Sequence, residues 1–543
     1  MAYDRDSFLA GVAVGRNMLG WPDMHGYGKG FFAFTIQTVS ASFTYQFEIT
    51  FVGTIDWGDG TTEDYDYDIF RYNISHVYAD TGIYQVKITG FITSVRLGSF
   101  GSTPPTPIAS ANRLISVDTP FPRLSHPYGE VTYADLQRCF AYCTNLKSIP
   151  KNLFANYKAQ GLTIRGMRAM FYLCSHLKTI PQGLFKDLTF ELLSNEYTQP
   201  VSMFYGCSAI EEFPSDLFDN PVFTRVTNVS QMFTNCTSLK ALPVDKLPFT
   251  SAQNFEWFCR GCESLAEIPE GLFDDCTQAA LLNYVFAGCD SLTAIPDGLF
   301  NNCPNILQAE FAFSSSGIES IPSKLFADKH SLTSVISAFS GSAVQTINGD
   351  IFDGCDALTT AGSCFANCSS LSEVPSGLFN GCTALTNMAR CFEDSGVETI
   401  SHDLCYGCTA LTRVDYCFSG CQRLTNIPSQ LFSSCSAITN VSYCFLLCTA
   451  LDEVPFGLFD SNLQITQAER TFSGCTSMDS VYTGLFASTP IGMNLRACFY
   501  GDSAITSNVP ELWLTHSSGG DHQACFYGCV NAANYADIPS GWK

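Results

Sequence analysis

"FSGCQRLTNIPSQLFSSCSAITNVSYCFLLC", Phe418–Cys448, holds four cysteines in thirty-one positions, and where those thiols fall decides the fold. The stretch reads F-x-x-C-x-x-L-x-x-I-P-x-x-L-F-x-x-C-x-x-I, and a short segment then leads into the next C-F. The same unit recurs along most of the chain. Its anchor positions are Phe140, Phe171, Phe204, Phe233, Cys259, Phe286, Phe313, Phe339, Phe365, Phe392, Phe418, Phe445, Phe472, Phe499 and Phe526, spaced by 31, 33 and 29 residues and thereafter by 26 or 27. A second aromatic or Cys follows most anchors by about fourteen residues, as at Phe273, Phe300, Phe379 and Phe459, with Cys405 and Trp513 as variants. Each unit therefore carries two bulky corners that it cannot shield by itself, and stacking neighbours is the way a unit of this size buries its apolar face.

All 26 cysteines follow this period, and none precedes Cys139. Eleven stand three residues after an anchor: Cys143, Cys174, Cys207, Cys236, Cys262, Cys289, Cys368, Cys421, Cys448, Cys475 and Cys529. Seven stand just before one, six stand three residues after the second corner, and Cys259 and Cys405 replace corner aromatics. A thiol recurring once per unit acts as a small hydrophobe with a weak S–H donor. The anchor-plus-three site becomes Ser316, Ser342 or Ser395 in three units and Asp502 in one, an exchange that a disulfide partner or a metal ligand does not tolerate. Structural zinc needs four convergent ligands, whereas a C-F-x-x-C step puts an inward Phe between its two thiols. The reading is a structural corner ladder of reduced thiols, with no metal and no cofactor.

The F-x-x-C-x-x-L-x-x-I-P corner resembles leucine-rich repeats of the BspA-like type, found in bacterial surface proteins and in phage-encoded ones, over about residues 111–540. That resemblance implies a right-handed solenoid of about 15 coils with a short strand per coil on one face. Residues 111–138 are expected to cap the first coil, because open arrays need an end that covers their apolar edge.

Ahead of the array, "FFAFTIQ" and "SFTYQFEITF" are rich in β-formers, and "TIDWGDGTTEDY" sets a D-G turn between expected strands. The pair "IDWGDGT" (Ile55–Thr61) and "HVYADTGIYQVKI" (His76–Ile88) resembles the polycystic-kidney-disease (PKD) domain. This implies an immunoglobulin-like β-sandwich over residues 26–97, a spacer or adhesive module without catalysis. Asp56 and Asp59 supply too few oxygens for calcium, which takes six to eight. "GSFGSTPPTP" has the composition of a linker, read here as residues 98–110. Residues 1–25 suit one short helix rich in small residues, read as a docking or oligomerisation segment.

A formal charge of −23 repels phosphate backbones and anionic headgroups, so neither nucleic acid nor bare membrane is an expected partner. No apolar run approaches the roughly 18 residues of a membrane span, and "FLAGVAVG" near the start lacks the basic flank of a secretory signal. The eight histidines form no H-E-x-x-H pair, and neither a phosphate loop nor a G-x-S-x-G elbow is present. The expectation is a non-enzymatic binding or structural protein that contacts a protein or glycan on a cell surface. The long early repeats interrupt the register, and Phe190, Tyr197, Phe223 and Arg225 are their candidate binding residues. The expected setting is a bacteriophage virion, as a fibre-type appendage whose N-terminal segment docks on a virion structural protein or joins copies into a homo-oligomer. The alternative setting is a bacterial cell surface, as a BspA-like adhesin.

Overall fold

The computed structural model describes residues 31–65, 72–100, 106–107, 110–124, 131–192 and 198–543; the expected docking segment, residues 1–25, lies outside them. The first strands are β1 (Phe32–Gln37), β2 (Phe43–Asp56), β3 (Thr62–Tyr65), β4 (Tyr72–Tyr78) and β5 (Ile83–Arg96), followed by the two-residue pair β6 (Ser99–Phe100) and β7 (Thr106–Pro107), and then by β8 (Leu114–Val117). All but β6 and β7 join one sheet in the order β3-β2-β5-β1-β8, with β4 also on β2. Alternation sets the inner face: Phe32, Phe34, Ile36, Tyr45, Phe47 and Ile49 are buried. Phe34 and Phe47 sit on strands that are not paired with each other, yet their rings meet edge to face at 5.3 Å. The sheet thus folds over itself around this core. The long strands allow this at Gly53 and Gly90, which lie opposite one another. A Cβ on either would fall within 2.1 Å of a backbone oxygen on the facing strand, so only glycine fits there.

The "WGDG" turn and the "HVY" strand lock together. Trp57 stacks on His76 at 4.6 Å, the Tyr78 hydroxyl donates to the Trp57 carbonyl, and the His76 ring bonds Asp59 through Nε2 at 2.8 Å. Asp59 also accepts from Thr61, and Asp56 accepts from the Gly58 N–H, so both carboxylates serve the turn's own geometry.

From residue 131 onward the chain winds in stacked coils. Three N–H groups at each first corner but the last donate to the next coil, as at Tyr284, Phe286 and Gly288 toward the carbonyls of Glu310, Ala312 and Ser314, each at 2.8 Å. This spacing requires a left-handed backbone two residues before every anchor, with φ between 51° and 61° and never a glycine. Such a conformation costs about 1–2 kcal/mol per residue for a side chain with a Cβ. Cross-coil hydrogen bonds of about 0.5–1.5 kcal/mol net apiece offset it. The same bend truncates the expected strand in each coil. Among the described residues only β9 (Tyr133–Asp135), β10 (Thr163–Arg165) and β11 (Thr189–Glu191) form a three-stranded parallel sheet, and most later coils meet by single bridges.

Anchor rings stack face to face through the interior. From Phe313 to Phe526 successive centroids are 5.3–5.6 Å apart and no pair is tilted by more than 12°. At Cys259 the order "C-F" is reversed to Phe258-Cys259, and Phe258 meets Phe233 edge-on. A second stack runs through Phe352–Phe379 and Phe432–Phe459, with Cys405 between them.

The sheet and the coils share one continuous apolar core from Phe32 to Trp542. The cap is therefore composite. Val95–Leu97 at the end of β5 occupy the place of a preceding coil: Leu97 N–H donates to the Cys139 carbonyl, and the thiols of Cys139 and Cys143 point at the carbonyls of Val95 and Leu97. Leu114–Val117, expected within the solenoid's cap, pairs with β1 and continues to Phe121, whose ring stacks on Phe140 at 5.7 Å. Arg96 pins this junction between Glu48 and Asp135. At the far side Ser540–Trp542 stands in for a following coil: Phe526 N–H donates to the Trp542 carbonyl, and Trp542 lies between Phe526 and His522.

Candidate recognition face

Five residues before each anchor, parallel bridges run without a break through Asn228, Asn254, Leu281, Gln308, Ser334, Thr360, Asn387, Arg413, Asn440, Gln467 and Asn494. The preceding residue is Thr in six consecutive coils, Thr333, Thr359, Thr386, Thr412, Thr439 and Thr466, and each hydroxyl donates to a carbonyl one coil earlier at 2.8–3.5 Å. The buried Leu or Ile before each Thr, such as Leu385 or Ile438, turns the hydroxyl outward. The result is a strip of polar side chains held in register by bonds to the backbone.

Beside this strip runs an aromatic and arginine edge, built by the left-handed residues two before each anchor. Trp257, Tyr284 and Phe311 line up there, with Tyr284 and Phe311 stacked at 4.5 Å and Arg260 lying 4.5 Å over Trp257. Farther along, Tyr416 and Tyr443 stack at 4.4 Å. Arg390 lies 4.1 Å over Tyr416 while its guanidinium bonds both Glu393 oxygens. Asn254 and Asn283 both donate to Glu256, and Ser334 donates to Glu310. These rings are half-buried and their polar neighbours are oriented, so little side-chain entropy remains to be lost on contact with a partner.

The interior behind this face is chemically quiet. Every one of the 26 cysteines is buried and free. Burial pushes most of these thiols up, Cys139, Cys303 and Cys421 to about 12 and Cys368 to about 11, which keeps those thiols protonated and poor as nucleophiles or metal ligands. From Cys174 to Cys529 each anchor-plus-three thiol donates to the anchor carbonyl of the preceding coil. Ser316, Ser342 and Ser395 turn instead to their own anchor's carbonyl at 2.6–2.7 Å, because a C–O bond is too short to span the gap between coils. Among the described residues no group of three His, Cys, Asp or Glu side chains is placed to hold a metal, and no helix is long and apolar enough to cross a membrane.

The candidate residues of the early repeats do not form one site. Phe223 is a correction: it is fully buried against Phe185, Phe218 and Phe249 and belongs to the core, since the insertion's apolar residues fold under it to cover the widened coil. Phe190, on β11, is half-buried against that core, Arg225 is exposed, and Tyr197 lies outside the described residues. Sequence reading did not pick out this polar strip, although the [L/I]-T-x-[V/A/M] that precedes six consecutive anchors carries its signal.

The architecture is that of a leucine-rich repeat protein, parallel coils each adding one turn to a common core. The family model for the BspA type leucine rich repeat region matches residues 249–384, 293–439, 363–506 and 410–532, together more than half of the chain, and the protein belongs to that family. Among solved structures, the chain is similar to one in the Toll–Spatzle complex, described as a molecular hub in Drosophila development and innate immunity, at 16% identity and a TM-score of 0.28 over 65% of this chain and 42% of that one. It is also similar to the TLR13–ssRNA13 complex at 13% identity and a TM-score of 0.19, over 71% of this chain and 68% of that one. A leucine-rich repeat protein from Eubacterium ventriosum aligns at 13% identity and a TM-score of 0.15, over 71% and 89% of the two chains. This chain spans less than half the length of the first of these. No curated protein sequence matches it.

Proposed function

We propose that this protein is a non-catalytic binding rod, carried on a bacteriophage particle as a fibre-type appendage, that contacts a protein or glycan on the host cell through its polar and aromatic bridge face. One observation carries the reading: a regular, pre-oriented face runs along coils whose 26 thiols are all buried and free of disulfides. The 26 buried thiols suit a protein that folds in a reducing cytoplasm. Release by lysis would deliver such a protein already folded. The front module, with its locked Trp57–His76 motif, fits a PKD-like spacer that holds the coils away from the particle.

Mass spectrometry and immunogold labelling of purified particles test the setting, and binding of the full chain to intact host cells tests the activity. Protein found in particles and retained by cells supports the proposal. Protein absent from particles but displayed on intact bacteria would replace it with an adhesin of the same family.

A further inference from the structure

We infer that the first two coils carry a binding site for an anionic oligosaccharide, a group of lysines gathered around one groove. The net charge of the chain conceals it. Residues 136–186 hold eight Lys and Arg and no Asp or Glu, whereas residues 187–543 hold 12 basic against 37 acidic residues. A local field of one sign inside a molecule of the other sign marks a place that attracts counter-charge.

The fold brings four of these lysines to one side. Lys147 and Lys178 each follow their anchor by seven residues, so the anchor corner separates them from the polar strip, which precedes the anchors. In the next two coils the same place holds Glu211 and Lys240, whose charges meet at 2.6 Å. Side chains of adjacent coils therefore reach one another along this row, and Lys147 and Lys178 stand side by side on it, both exposed. Lys151 follows Lys147 by four residues, at most about 14 Å of backbone. It borders a groove of about 500 Å³ between the two coils, lined also by Asn152, Phe154, Lys158, Gln182 and Leu184. Lys158, on the short helix Ala155–Gln160, donates to the Gly183 carbonyl across the coil boundary at 3.0 Å, which fixes its ammonium without neutralising it. Among the described residues no ion pair engages these four lysines, whereas Arg165 and Lys186 are taken by Glu191 and Asp219.

The limits of the island select the ligand. Glu211, Glu212, Asp216 and Asp219 stand in the third coil, so a flat anionic membrane or a long nucleic acid laid along the rod meets like charge one strand spacing away, about 4.8 Å. The island suits a ligand with a few negative charges spread over about 10 Å, two such spacings. The amides of Asn152 and Gln182 offer hydrogen bonds to hydroxyls, and Phe154 and Leu184 offer an apolar lining to C–H groups. Carboxylate, phosphate or sulfate groups on a short run of sugar rings combine these features. The inference goes beyond the proposed function, since the site is separate from the bridge face and does not depend on where the protein is carried.

The test measures binding of the full chain to a fluorescent heparin hexasaccharide and to a galacturonate hexamer, with maltohexaose and hexaglutamate beside them. At least one of the two acidic saccharides should bind, the sulfated or the carboxylated one according to the group preferred, and maltohexaose should not. Binding should weaken as salt rises to about 0.5 M, where screening shortens to a few Å. Lys147→Glu with Lys178→Glu, and Lys151→Glu with Lys178→Glu, should each weaken it by about tenfold or more, the scale of two reversed charge contacts in water. Lys324→Glu with Arg423→Glu, the same change of net charge made in later coils, should weaken it far less. No binding of either acidic saccharide, equal binding of maltohexaose, or equal losses in the island and later-coil variants would overturn the inference. Tighter binding of hexaglutamate than of both saccharides would also overturn it and assign the island to an acidic protein segment.

Discussion

The sulfur of Cys448 lies 3.2 Å from the carbonyl oxygen of Phe418, one coil back, and the equivalent contact recurs at 3.1–3.3 Å in every coil that keeps a cysteine at this place from Cys174 to Cys529. The Phe418 carbonyl already accepts the Cys421 N–H of its own coil at 3.2 Å, so the thiol adds a second bond to it, from the next coil. It makes the thiol a donor between coils as well as filler within one.

Replacing Cys448 with Ala should therefore destabilise the array by about 1–2 kcal/mol, the loss of one buried hydrogen bond to a carbonyl that keeps its backbone donor, with a small cavity added. Cys448→Ser should cost less, since the hydroxyl has the alternative seen at Ser342. Thermal melts of the two variants beside the parent check the order, and equal losses would remove the hydrogen bond from the account.

Asp502 occupies the same ladder position but is fully buried, and neither carboxyl oxygen has a hydrogen-bond partner. Burial raises its pKa well above the usual carboxylate range, with Cys475, Cys498, Cys525 and Cys529 around it. The folded chain then holds a proton that the unfolded chain releases near pH 3.9. Stability is unaffected below that value and falls as pH rises from it toward the folded pKa. Asp502→Cys should raise the melting temperature at neutral pH and flatten its decline with pH. Parallel pH profiles for parent and variant would contradict this.

Phe365 sits mid-stack, 5.5 Å from both Phe339 and Phe392. Phe365→Ala should cost about 3–5 kcal/mol. Because each coil contacts only its neighbours, the loss should appear as faster hydrogen exchange in the flanking coils, while the sheet around Phe34 and Phe47 keeps its protection. Uniform loss along the whole chain would mean that the array unfolds as one unit.

Tyr416 and Tyr443 stack on the edge of the proposed recognition face. The double change Tyr416→Ala and Tyr443→Ala should weaken binding to host cells at least about tenfold, the scale of an aromatic contact at an interface centre, with a smaller effect on the melting temperature than Phe365→Ala. Unchanged binding would move the contact surface elsewhere.

The period and the residues within it determine the coil: the Phe and Leu corners, the thiols beneath the turn and the Pro that follows the apolar residue of most coils are local requirements that repeat, and a stacked array is the way such short units bury them. The same text marks [L/I]-T-x-[V/A/M] as a polar strip once the stacking is known. Tertiary structure decided the rest, because it depends on the offset between coils. That offset sends each thiol three residues after an anchor, from Cys174 to Cys529, to the previous coil's carbonyl. It takes Phe223 into the core, where an insertion had suggested a surface loop. It also builds the cap from β5 and β8 together, since an apolar edge is covered by whichever strands reach it, whatever their place in the chain.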